Sequence, residues 1–547
     1  MSTLIAVLVP LALVILIHAG PASRRVALFL APWSPLLLLW PWLTGIDLAM
    51  DWPLLGLRLG VDATSAPLIL LTSIAWTLAG WQANGQVDKN RAWFWSGWLA
   101  ALSGMGLVLL AGNLGSFYLG YVVLSLSAYL LVTHARSNEA WRAGRIYLGL
   151  ALAGEAAILV GVLMLAGQLG NPGFDELLAS PEVLIDSPAR WFLMVGFAVK
   201  LGIIPLHIWL PLAHPVAPVP ASAILSGIIV KAGLLGWLRM VPALAADPLI
   251  LGQLFLVLGL VTAFGGVLLG LTQRRIKTVL AYSTISQMGL VLIAFSVLFL
   301  APDQRDAAVA IIGLLALHHG LNKAALFLAC GNQPGQTRLR LLLFALPAIS
   351  LAAAPLTTGY LAKNALKNSL DEATPWTWLD PVLAVTSLAT ALLLWKAFGL
   401  ARGLRSSQPD RIHPAWPTLV AAALVAPWWL AANSNLVAPL SSYVLFAAVW
   451  PLAAAAAIIA VHALLFARLL PKLPEGDLVV ILDALLEQRA PRLRFDRTAP
   501  SRRFINFKPA RWLRRLERQQ RQLPLAGLTM LVIGGLLWLL LWAPGWL

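Results

Sequence analysis

Runs of about twenty apolar residues, each closed by a short polar connection, recur from one end of this chain to the other, and they restrict the fold more than any other feature. A helix needs about twenty apolar residues to cross the ~30 Å hydrocarbon layer, and only helices or closed barrels satisfy their backbone groups there. Read this way, spans lie near 3–19, 26–44, 66–83, 92–112, 114–133, 146–166, 191–209, 220–241, 250–272, 278–300, 306–330, 340–362, 378–401, 415–432, 443–467 and 523–545. The expectation is an all-α polytopic membrane protein of about sixteen helices. Charged residues make up 11% of the 547, less than half the share of about 25% in soluble domains.

Lysine and arginine concentrate in alternate loops, as at Arg24–Arg25, Arg142–Arg145, Arg274–Lys277 and Arg402–Arg411, while the intervening loops carry Asp47, Asp175, Glu176, Asp247, Asp303, Asp371 and Glu372. By the positive-inside rule the basic loops face the cytoplasm. One missed span would reverse every later loop, so the alternation supports the count. It places both termini on the outer side of the cell inner (plasma) membrane. The first apolar run lacks a basic n-region and is followed by Arg24–Arg25, so it reads as a retained span. The net charge of +16 follows from this topology and from residues 471–522, where Trp512, Leu513 and Leu516 among arginines suggest a basic interfacial helix on anionic lipid or a lateral element against a neighbouring subunit. No nucleic-acid motif accompanies it.

The block FAVKLGIIPLHIWLPLAHPVAPVPASAILSGIIVKAGLLGWLR at 197–239 sets Lys200 and Lys231 in apolar surroundings. A lysine near the bilayer centre costs roughly 2.5–3.5 kcal/mol on insertion scales and calls for a counter-charge or water. Pro205 and Pro211 predict a broken helix after Lys200, a device that lines transport paths. His207 and His214 lie at that break, where an imidazole either passes protons or bonds the freed carbonyls. Trp209 reads as packing.

Polar residues return in LALHHGLNKAALFLACG, where His319 and Lys323 share a helix face at i, i+4 and His318 lies beside them. No Cys or carboxylate stands near at ligand spacing, so proton relay is the better reading than a metal. Lys363 follows the helix-loosening Pro355, and Lys396 follows on the next span, near enough its end to snorkel. The intervals 200 to 231 and 363 to 396 are alike, and proline and lysine stand in opposite order at the two breaks. That suggests two inverted five-helix repeats. The expected divisions are 1–91 for helices 1–3, 92–241 and 250–401 for the repeats, 415–470 for helices 14–15, 471–522 for the basic segment and 523–547 for the last helix. Glu155 is the one carboxylate deep in the first repeat and the natural partner for Lys200. With a single cysteine, Cys330, the chain cannot hold an iron–sulfur cluster alone. No cofactor is expected in it.

AVKLGIIPLHIWLPLAHPVAPVPASAILSGIIVK closely resembles the signature of the antiporter-like membrane subunits of respiratory complex I, group 4 membrane hydrogenases and Mrp-type cation/proton antiporters. GVDATSAPLILL, QRRIKTVLAYSTISQMG, HHGLNKAALFLACG and GYLAKNAL agree with it, so the resemblance spans roughly 60–400. It implies that Lys200 is the lysine of the broken seventh helix, Lys231 that of the eighth and Lys363 the terminal lysine of the twelfth, with His318 and His319 on the connecting eleventh. A lysine at 363 is most like the distal complex I subunit or the large hydrogenase subunit. Val122 departs from the family, which presents a glutamate there, while Glu155 matches the sixth-helix aspartate of the distal subunit.

The resemblance implies proton translocation through a Glu/Lys/His relay, as a subunit of a larger complex with other membrane subunits and a peripheral redox or other soluble module. In that reading the chain is one part of a translocase such as an NADH:quinone oxidoreductase-like complex and holds no catalytic chemistry alone. The alternatives are an Mrp-type Na⁺/H⁺ antiporter subunit, a proton channel of a carbon-uptake complex, or a scaffold whose channel has decayed.

Overall fold

The computed structural model describes residues 2–50, 56–180, 187–241, 247–332, 334–404, 411–437 and 442–465. The basic segment 471–522 and the span expected at 523–545 lie outside them. Each of the first fifteen expected spans contains helix among the described residues, two of them interrupted, and twelve helices among those residues are long and apolar enough to cross a membrane. The chain is an all-α integral membrane protein.

Helix α1 (Ser2–Ala19) leads to α2 (Pro21–Leu30), a 3₁₀ stretch and α3 (Leu39–Thr44). A short hairpin of β1 (Leu48–Met50) and β2 (Leu57–Leu59) pairs antiparallel, with Ala49 opposite Arg58. Four helices follow: α4 (Ala66–Gln86), α5 (Arg91–Leu110), α6 (Leu114–Val132) and α7 (Asn138–Leu169). Helix α7 begins eight residues before its apolar run because the Ser137 side chain accepts from the Ala140 N–H and caps about two extra polar turns.

After α8 (Phe174–Ala179), the lysine-bearing span is broken into α9 (Ala189–Leu201) and α10 (Trp209–Val216). Gly202 ends α9 at φ 71°, a left-handed position that suits glycine, and the N–H groups of Gly202 and Ile203 both return to the Ala198 carbonyl. The interruption centres on Pro205. Pro211 does not break the helix as expected, for it stands in the first turn of α10, where a missing N–H removes no helical bond. Next come α11 (Val219–Ile224), a π turn at Leu225–Ile229 and α12 (Lys231–Met240).

The order then repeats with α13 (Pro248–Leu271), α14 (Ile276–Leu300) and α15 (Arg305–Cys330). A second broken span, α16 (Arg338–Leu351) and α17 (Thr358–Ala373), precedes α18 (Leu379–Arg402). Residues 352–357 form that break, with Pro355 inside it and Ala353 and Leu356 held at positive φ. Sequence reading ended this span at 362, but Thr357 caps a new helix that carries Lys363 on to residue 373. Helices α19 (Ala415–Asn433) and α20 (Ser442–Leu465) complete the described bundle.

The two loop sets gather on opposite faces. On the basic face, Arg275 pairs with Glu139 at 2.6 Å and Gln86 donates to the Gly331 carbonyl. On the acidic face, Arg239 pairs with Asp62 at 2.7 Å and Arg58 with Glu176 at 2.8 Å. That hydrogen bond from Arg58 holds the Glu176 carboxyl below its usual range. Helix α15 runs between the faces, buried along its apolar length, against α4, α11, α14, α16, α17 and α19.

Candidate functional site

Buried polar groups in this bundle form successive clusters. In the first, Lys200 at the end of α9 is buried and donates to the Ser125 hydroxyl of α6. Glu155, mid-way along α7, faces the same hydroxyl, whose own proton goes to the Tyr121 carbonyl at 3.0 Å, and lies in electrostatic contact with Lys200. Ser125 thus stands between the two charges. The Lys200 ammonium also lies 4.9 Å from the Tyr121 ring and 5.9 Å from that of Tyr147, distances at which an aromatic face attracts a cation. A cavity of about 10 Å³ touches Lys200, Tyr147 and Trp209, room for one water. Trp209 serves the break itself, its indole N–H donating to the Val199 carbonyl at 2.7 Å.

The second cluster depends on the π turn, which disrupts the regular i→i−4 ladder just before Lys231. The Lys231 ammonium takes the Ser226 carbonyl at 3.0 Å and approaches His319 Nδ1 at 2.7 Å. Ser226 and Thr284 hydroxyls meet at 2.6 Å beside it. Close helix approach permits this: a Cβ on Gly227 would lie 2.9 Å from the Gly320 carbonyl oxygen, and one on Gly320 would lie 2.7 Å from that of Gly227. One turn along α15, Lys323 donates to the Leu280 carbonyl at 2.7 Å and to the Ser283 hydroxyl.

His318 begins the third cluster. Its Nδ1 meets the Thr358 hydroxyl at 2.8 Å, and Thr358 in turn meets Ser350 at 2.9 Å across the second break. His318 is in electrostatic contact with Lys363. The Lys363 ammonium donates to Thr386 at 3.0 Å and Ser387 at 2.7 Å on α18. A cavity of about 270 Å³ adjoins Lys363 and Ser387 and is flanked by the Lys367–Asp380 ion pair, 2.8 Å apart, toward the acidic face.

The clusters contain Glu155, Lys200, Lys231, His318, His319, Lys323 and Lys363. His207 lies buried in the first break, its ring 6.1 Å from that of Tyr282. Lys396 stands apart, donating to the Leu271 carbonyl at the end of α13 near the basic face. Sequence reasoning missed Ser125, Thr358, Thr386 and Ser387, whose hydroxyls resemble ordinary helix-interior serines and threonines until their neighbours are known. Val122, at the expected glutamate position, lies one turn before Ser125 on α6.

Residues 111–390 match the family model described as the transmembrane region of NADH:quinone oxidoreductase and Mrp antiporter subunits. Hydrogenase-4 component B of Escherichia coli (strain K12) is 34% identical over 241 residues, 42% of this chain and 36% of that protein. NAD(P)H-quinone oxidoreductase chain 4 3 of Picosynechococcus sp. is 33% identical over 297 residues, 53% of each. The chain thus spans about a third to a half of these relatives' length. In fold it is similar to a chain of the Mrp complex from Dietzia sp. (TM-score 0.73, 20% identity, 89% of this chain, 58% of that one) and to one of an archaeal membrane-bound sulfane sulfur reductase (TM-score 0.68, 20% identity, 84% and 99%).

Proposed function

The chain belongs to the NADH:quinone oxidoreductase/Mrp antiporter transmembrane family, and from its buried clusters we propose that it conducts protons across the cell inner membrane as one subunit of a larger membrane complex. The observation that carries the reading is the succession of buried bases and cations Glu155–Ser125–Lys200, Lys231–His319 and His318–Thr358 toward Lys363. Each is a group that gains or loses a proton as its neighbours' charges change. The Lys363 cavity supplies an outlet toward the acidic face, taken as the outer side with both termini on it.

Because a charge placed on Lys231 repels one on Lys323 and alters His319, protonation at one end of the succession biases the next cluster. Relatives in hydrogenases, quinone oxidoreductases and Mrp complexes support companion membrane subunits, with redox chemistry and any cofactor on those subunits. Two repeats, 92–241 and 250–401, each contribute a broken helix to the path. The test is pH-gradient measurement in vesicles holding the whole assembly, comparing wild type with Lys200→Ala, Glu155→Gln and Lys363→Ala. Loss of proton movement is expected in all three, and unchanged movement in all three refutes the relay.

A further inference from the structure

The succession has a cavity near the acidic face, and the remaining question is where protons join it from the basic face. His214 is a buried titratable group that the clusters above do not use. It lies in the last turn of α10, fully buried, and neither ring nitrogen has a hydrogen-bond partner among the described residues. A buried imidazole without partners forfeits the hydrogen bonds that normally offset its burial. Packing holds it nonetheless: its ring lies flat on Phe327 of α15, centroids 4.5 Å apart and planes at 21°.

Two cations flank it from the helices packed around it. Lys277 begins α14 at the basic face and donates to the His214 carbonyl at 3.2 Å and to the Ala217 carbonyl, so its ammonium is tied to the backbone that carries the imidazole. Lys323, one turn before Phe327 on α15, is also in electrostatic contact with His214. On α7, Tyr147 packs on Trp209 at the opposite end of α10, and Glu139 at the basic face is paired with Arg275, two residues before Lys277. Cys330 closes α15 beside Lys277. His214 therefore has the Lys277 cation toward the basic-face loops and Lys323 on α15, while the carboxylate at this face, Glu139, is engaged by Arg275.

We propose that His214 is the entry station of the path, passing protons from Lys277 at the basic face to Lys323; the proposal rests on the proton-conduction reading above. In the step, the unprotonated ring nitrogen takes a proton from the Lys277 side and the opposite N–H gives its proton to a neutral Lys323 amine, directly or through water. Lys277 recovers its proton from the basic-face solution. The ring then turns over or shifts its tautomer before the next transfer. Phe327 fixes the ring plane without competing for either nitrogen.

The test uses vesicles holding the whole assembly, basic face outward, with proton uptake followed by a pH-sensitive dye. His214→Phe keeps a flat ring against Phe327 and removes both nitrogens, so a packing role would tolerate it. The expected result is uptake slowed on the order of 100-fold, with labelling of Cys330 by N-ethylmaleimide unchanged. His214→Gly with imidazole added to the bath covers the case in which phenylalanine disturbs the helix, and imidazole is expected to restore uptake. Normal uptake by His214→Phe, or His214→Gly left inactive by imidazole, overturns the proposal. Lys363→Ala run in parallel separates the two readings: if it alone abolishes uptake, the entry station is wrong and conduction stands, whereas uptake unchanged in both variants removes conduction itself.

Discussion

The ammonium of Lys231 lies 2.7 Å from Nδ1 of His319, two residues separated by 88 positions in the chain. This contact joins α12 to α15 and hence the first broken-helix unit to the second. Lys231→Met removes the cation while keeping the apolar bulk. Proton movement is expected to fall on the order of 100-fold, and the unpaired His319 to lower stability by about 1–3 kcal/mol. Dye-reported uptake and thermal unfolding in detergent check the two effects separately, and uptake within two-fold of wild type would remove Lys231 from the path.

The Lys231–His319 contact requires Gly227 and Gly320 to be bare, since a Cβ on either approaches the other's carbonyl within 3 Å. Gly320→Val is therefore expected to push α15 from the π turn and cost about 1–3 kcal/mol of overpacking. A larger loss of uptake than of stability would show that spacing between the helices, and not merely folding, is what the glycines protect. An unfolding midpoint equal to wild type would contradict the close approach.

Much of this architecture was legible because apolar length and loop charge are periodic properties of the sequence. Twelve of the expected spans stand as helices long and apolar enough to cross a membrane, Pro205 and Pro355 marked the two breaks, and the lysines stood out through their cost in an apolar setting. What escaped was set by three-dimensional neighbours. Pro211 has the same composition signal as Pro205, yet it occupies a first turn, where proline does no harm. The π turn at 225–229 has no distinctive residues and is read only from its bonds. Ser125 is one serine among many until Lys200 and Glu155 are seen to share it. Asp62, noted only as part of a resembling stretch, proves to be the partner of Arg239 across 177 positions.

Ser125→Ala tests whether that shared hydroxyl matters. Without it, Lys200 loses a buried acceptor, and a buried group left unpaired costs about 1–3 kcal/mol. Uptake is expected to fall more than in Ser125→Thr, which retains a hydroxyl at the same position. Equal uptake in the alanine and threonine variants would make Ser125 a packing residue.

Arg239 donates to Asp62 and to the Val108 and Leu109 carbonyls, and the guanidinium is buried while the carboxylate is half exposed. Burial raises the Asp62 pKa, but Arg239 and the Thr64 and Ser65 hydrogen bonds outweigh it, leaving the carboxyl below 3.8. A folded-state pKa that is depressed gives stability present above the unfolded value and lost as pH falls through the folded one. Asp62→Asn is expected to lower stability at neutral pH by about 1–3 kcal/mol and to flatten the loss that wild type suffers below about pH 4. Unfolding midpoints from pH 3 to pH 7 check this, and parallel curves for the two proteins would show that the pair contributes nothing to acid sensitivity.

Lys363 differs from Lys200 and Lys231 in facing a cavity large enough for several waters, about 270 Å³ against about 10 Å³ beside Lys200. Lys367 and Asp380 line the same cavity toward the acidic face, which makes it the candidate route between Lys363 and the solution on that side. In a Cys330→Ser background, Ser387→Cys is then expected to react with a charged methanethiosulfonate added on the acidic side, and Ser125→Cys at the Lys200 cluster to react far more slowly. Charge placed at position 387 should also stop uptake, because a fixed cation beside Lys363 raises the cost of protonating it. Equal labelling from both faces, or labelling that leaves uptake intact, would mean that the cavity lies off the proton path.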